Sequence, residues 1–178
     1  PMVMSERHAA PVSILWVGAC DDELLIAREA AGRMTDVHDA ASVPAAVSSP
    51  PAVFADRSPG AVVLASPTPF WTTAECACLA RRWPLAPLVS VASSLVEGRR
   101  RSGPALPGVE EVAWNEFPGR LAWWLHDRRR GVPGGIGQPA TARREERILE
   151  ASVRVAEQAA TATWSVSVAA SRSVDLEG

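Results

Sequence analysis

The sequence predicts an α/β domain, a doubly wound five-stranded parallel sheet with helices on both faces, followed by a C-terminal tail helix. Three observations carry this. Short apolar, β-branched runs alternate with segments of helical spacing, the pattern of βαβ units. The runs SILWVG, GAVVLA and PLVSVA are nearly continuous in apolar character, as strands buried on both faces are. Glycine and proline mark most of the boundaries.

Residues 1–12 are polar and read as a lead-in. Ser13–Gly18 is the first strand. Asp21 or Asp22 can cap the helix that follows, with Glu23 favourable in its first turn. That helix runs to about Ala31, where Gly32 offers a stop, and Leu24, Ala27 and Ala31 form its inward face. Thr35–Ala40 is a weak second strand, and Ser42–Ser49 a short helix before Pro50 and Pro51. Gly60–Ala65 is the clearest strand. Trp71–Trp83 reads as a helix closed by Pro84, and Pro87–Ala92 as the fourth strand. Ser93–Gly108 is polar, with Arg99, Arg100 and Arg101 in a row, and does not read as a regular helix. Val109–Asn115 is the fifth strand, and Pro118 suits the first turn of a helix reaching about Arg130.

The domain so defined spans 13–131. Residues 132–141 have the composition of a flexible linker. Thr141 can cap a helix over 142–160, with Ile148, Leu149, Ser152, Val155, Ala156 and Ala159 on one face. Residues 161–178 read as disordered.

The chain of 178 residues is 47% hydrophobic, enough for a core, and its formal net charge is −2. No global charge therefore draws it to nucleic acid or anionic membrane. Its basic residues are all arginine, in keeping with the coding bias of a GC-rich source. Cys20, Cys76 and Cys78 do not make a disulfide framework, and with His8, His38 and His126 scattered they do not make a zinc site. No metal and no cofactor is expected. No apolar run reaches the roughly 20 residues that span a bilayer, and the first residues lack the plan of a secretory signal. A cytoplasmic location follows by default.

The layout resembles the receiver domain of two-component response regulators, over about Ser13 to Arg130. SILWVG stands as the first strand, GAVVLASP as the third, and Phe117-Pro118 follows the fifth. The stretch SLVEGRRRSGPALPGVEEVAWNEFPGRL is also similar to a divergent receiver-like family of GC-rich bacteria. The resemblance implies a flavodoxin-like sheet of order 2-1-3-4-5 and a site at the carboxyl ends of its strands. In receivers an aspartate there accepts a phosphoryl group, two acids hold Mg²⁺, and a hydroxyl and a lysine contact the phosphoryl oxygens.

In this chain those positions fall on Gly18 and Ala19 for the acids, and on Ala65 for the nucleophile. Ala92 takes the hydroxyl position, with Ser93 beside it, and Phe117 takes the lysine position. A shift of one residue brings Ser66 to the acceptor position, but a serine cannot form an acyl phosphate. The resemblance further implies a cis bond before Pro118 and a switch aromatic at Trp114.

Trp114 therefore reads either as a contact residue or as a packed strand residue. Trp123 lies about 145° from the face formed by Leu121, Trp124, Leu125 and Arg128, so it is expected exposed. It is a candidate contact residue, or else it lies under the tail helix. His126, on the same helix, joins the candidates. Arg99, Arg100 and Arg101 could grip phosphates or simply be solvated. The reading that results is a non-catalytic protein-interaction module of bacterial signalling, independent of aspartyl phosphorylation. Its partner is a protein, with a homodimer through the last helix as one form, and neither nucleic acid nor membrane is expected. Two alternatives stand beside it. One is a regulatory protein that binds nucleic acid or a larger complex through its arginine clusters and tail helix. The other is a doubly wound enzyme with another site, although GACDDE is not the G-x-G-x-x-G fingerprint.

Overall fold

In chain order the elements are β1 (Ser13–Val17), α1 (Asp22–Met34), β2 (Asp36–Ala40), α2 (Val43–Ser48) and a 3-10 turn (Ala52–Phe54). β3 (Ala61–Ser66), α3 (Thr73–Arg82), β4 (Leu88–Ala92), β5 (Val109–Ala113) and α4 (Phe117–Arg129) follow. The computed structural model describes residues 12–66, 71–96 and 106–130, with 139, 141, 142, 145, 146, 149, 152 and 153 beyond them. Arg99, Arg100 and Arg101 lie outside the described residues, as do 161–178 and most of the expected linker and tail helix.

The five strands form one sheet in the order β2-β1-β3-β4-β5, and every neighbouring pair is parallel. This is the expected flavodoxin-like sheet. β1 lies between β2 and β3 and is buried along its whole length. Alternation sends its side chains to two separate cores. Ile14 and Trp16 join Leu24, Ala27, Ala31, Phe117, Leu121 and Trp124 under α1 and α4. Leu15 and Val17 join Val43, Ala46, Phe54, Leu79 and Trp83 under α2 and α3. Helices on both faces are what the apolar runs of the strands require.

Local signals explain most helix ends. The Asp21 carboxylate accepts a hydrogen bond from the Leu24 N–H, 2.9 Å, and caps α1. Ser42 caps α2, with its Oγ accepting from Ala45 N–H. Thr72 and Glu75 form a reciprocal capping box on α3. Two expectations need correction. α1 does not stop at Gly32 but runs to Met34, where Thr35 donates its N–H to Ala31 O, 3.0 Å, and its hydroxyl to Val12 O. Gly32 has no positive φ, and a Cβ there would meet nothing within 4 Å, so the helix passes through it without steric objection.

The second correction concerns Phe117-Pro118. Among the described residues no peptide bond is cis. Phe117 already opens α4 and Pro118 occupies its first turn, where a fixed φ and a missing N–H cost nothing. The 3-10 turn after Pro51 was not expected. It carries Phe54 into the α2–α3 core, edge-on to Trp83 at 6.5 Å and to His38 at 5.2 Å.

Candidate functional site

The carboxyl ends of β1, β3 and β4, where open α/β sheets bind ligands, bring the expected positions to one rim. Gly18 follows β1 with φ +108° and donates its N–H to Ala40 O at 3.0 Å. A Cβ at this position would come 2.0 Å from Ala65 O and 3.1 Å from Trp71 Cζ2. The backbone after β1 thus presses directly on the end of β3, with the Trp71 ring beside it. No side chain of any kind fits at 18 without moving a strand. The lack of a side chain at 18 is therefore required by the main chain.

The other positions follow suit. Ala19 is exposed and Cys20 half-buried. Burial pushes the Cys20 thiol up, while the Trp16 indole N–H beside it pulls the other way. Asp21 is occupied as the α1 cap and Asp22 is exposed at the helix start, so neither takes the place of an acid at 18 or 19. Ala65 is fully buried and Ala92 nearly so. Ser66 pairs in register with Ala92, at the last rung between β3 and β4.

Ser93 is fully buried, and its Oγ has no hydrogen-bond partner among the described residues. Trp71 Nε1 shares that condition. Such groups cost about 1–3 kcal/mol each when left unsatisfied. Phe117 is not at the rim at all. It lies in the core under α4, edge-on to Trp16 with ring centroids 5.9 Å apart. A cation at this place would meet an apolar wall.

A second cluster, at the same end of the sheet, was not visible in the sequence. Glu23 Oε2 accepts a hydrogen bond from Ser94 N–H at 2.7 Å. Ser94 Oγ in turn accepts from Trp114 Nε1–H at 3.2 Å. The Trp114 backbone N–H donates to Ala92 O at 2.9 Å, so the residue is tied to the end of β4 by its main chain and to Ser94 by its indole. Trp114 is half-buried and leaves the end of β5, one residue beyond the strand. No sequence spacing signals a contact between positions 71 residues apart.

On α4, Leu121, Trp124 and Leu125 are buried, and Trp123 is 40% exposed, as the helical wheel requires. His126 is exposed on the same helix. The Arg128 guanidinium stands over the Trp124 ring, 5.7 Å from its centroid. Arg120 pairs with Glu110 of β5 at 3.2 Å, fastening the helix to the edge strand. Trp114 and Trp123 thus mark the end of β5 and the outer face of α4. Among the described residues, no group of three or more His, Cys, Asp or Glu is placed to hold a metal ion. No helix among them is long and apolar enough to cross a membrane.

No protein-family model and no curated protein matches the chain. Among solved structures, it is similar to a response regulator receiver protein from Sinorhizobium medicae, at 14% sequence identity and a TM-score of 0.43. That likeness covers 63% of this chain and 94% of the other.

Proposed function

We propose that the domain is a non-catalytic, receiver-like interaction module of bacterial signalling. It works through protein contacts at the end of β5 and the outer face of α4, and aspartyl phosphorylation does not control it. One observation carries the reading: the backbone at Gly18 closes onto Ala65 O, which leaves no place for an acidic side chain at 18, and Asp21 is taken up as the α1 cap. The sheet order supports the receiver-like part. Trp114, Trp123 and His126 supply the contact surface, since large aromatics that stay partly open are enriched where proteins meet. The partner is a second copy or another protein.

The test has two arms. Beryllofluoride with Mg²⁺, at millimolar concentration, is expected to leave the indole resonances of the full chain unchanged. A saturable, Mg²⁺-dependent shift would overturn the proposal. Sedimentation or cross-linking of the wild type against Trp123→Ala reads the surface, and weaker association in the variant is the expected result.

A further inference from the structure

We infer that Glu23 is a positioning residue for Trp114 and acts on it through Ser94. The inference rests on the proposed role of the β5 end as a contact surface, and it names what sets that surface. Glu23 belongs to the first turn of α1, Ser94 to the helical residues 94–96 that follow β4, and Trp114 to the turn after β5. These three segments have no adjacent place in the chain, yet two hydrogen bonds join them in series, Glu23 to Ser94 and Ser94 to Trp114.

The first bond is charge-assisted, a carboxylate on a backbone N–H, and it is the shorter of the two at 2.7 Å. It fixes the main chain at Ser94, and the turn closes behind it through Val96 N–H to Ser93 O, 2.9 Å. With that backbone fixed, Ser94 Oγ is held where it accepts the indole N–H. The indole has one donor and finds one acceptor, so its orientation follows the serine. Removing the carboxylate frees the Ser94 amide and with it the serine that orients the ring.

Glu23 could instead serve α1 alone, as an acid in the first turn facing the helix dipole. The two roles separate by substitution. Glu23→Gln loses the charge but keeps an oxygen that can accept the Ser94 N–H. Glu23→Ala loses both.

The experiment uses the full chain labelled with ¹⁵N, with the Trp114 indole signal identified by Trp114→Phe. In Glu23→Ala, hydrogen exchange at the Ser94 amide is expected to rise about tenfold or more, the loss of one charge-assisted hydrogen bond, and the Trp114 indole resonance to move. In Glu23→Gln both should stay near wild type. Ser94→Ala should also move the Trp114 resonance, and adding Glu23→Ala to it should move the resonance no further. The indole resonances of Trp16 and Trp83, both fully buried, report that each variant is folded.

A Trp114 resonance that does not move in Glu23→Ala overturns the inference. Equal behaviour of Glu23→Ala and Glu23→Gln also overturns it, since charge alone would then be the cause. Should Trp123→Ala leave association intact while Trp114 still follows Glu23, the contact-surface reading fails and the positioning role stands.

Discussion

Gly18→Ala is expected to be among the most damaging single-methyl substitutions in the domain. Two effects add. A φ of +108° lies in territory that L side chains avoid, which costs about 1–2 kcal/mol even in the milder left-handed helical region. The added Cβ would then lie 2.0 Å from Ala65 O, where ordinary carbon–oxygen contacts are about 3.3 Å or more. The obstacle is backbone, so no rotamer relieves it. β1 and β3 must separate, or the loop at 18 must move into Trp71. Overpacking of this kind costs about 1–3 kcal/mol. The total of about 2–5 kcal/mol is a large part of the 5–15 kcal/mol typical of a domain. Thermal unfolding followed by circular dichroism should show Tm falling by roughly 10–20 °C. Urea unfolding should show a lower midpoint at unchanged slope. A variant within about 0.5 kcal/mol of wild type would refute the reasoning, because neither the φ nor the close approach could then hold in solution. Gly18→Asp should cost at least as much, so restoring the acid by substitution is expected to give an unstable protein and no Mg²⁺ response.

Four further outcomes are expected. Gly32→Ala, inside α1 with open space at its Cβ, should gain about 0.5–1 kcal/mol in the same unfolding assays. Thr72→Ala breaks the capping box of α3 and should lose about 1 kcal/mol. Phe117→Ala opens a cavity against Trp16 and should lose about 3–5 kcal/mol, an outcome measurable by urea titration. Burial pushes the Cys76 thiol up to about 11, above its unfolded value, so the folded state keeps its proton longer. Its contribution to stability is therefore complete below about pH 9 and lost as pH rises toward 11. Alkylation of the native protein at pH 8 should spare Cys76, while denatured protein reacts at all three cysteines.

The strands were legible because parallel strands buried on both faces leave near-continuous apolar runs, as Ala61–Ser66 and Leu88–Ala92 do. The capped start of α1 and its inward face were legible because capping and helical periodicity are local. The end of α1 was not. Gly32 is a permitted helix residue as well as a stop, and the deciding contact, Thr35 to Val12 O, joins distant segments. The 3-10 turn at Ala52–Phe54 escaped for a similar reason, since Phe54 is placed by distant core residues such as Leu79 and Trp83 and by the His38 ring.

For the site, the residue types at Gly18, Ala65 and Phe117 could be read. The closure of backbone over that place could not, because a positive φ and a 2.0 Å approach are properties of the folded chain. Glu23 read as a helix-start acid and nothing more. Only the sheet order brings it to Ser94.

The interior place of β1, between β2 and β3, has a consequence for synthesis. A ribosome releases β1 before the other strands of this sheet, and β2 soon after covers one of its edges. The other edge waits for β3, whose last residue is about 50 positions downstream, a delay of several seconds at roughly 5–20 residues per second. Throughout that interval Ile14, Leu15, Trp16 and Val17 have an open hydrogen-bonding edge and no finished core on either side. The unfinished sheet is thus most exposed to sticking at β1, and a chaperone that holds apolar segments would find a substrate there.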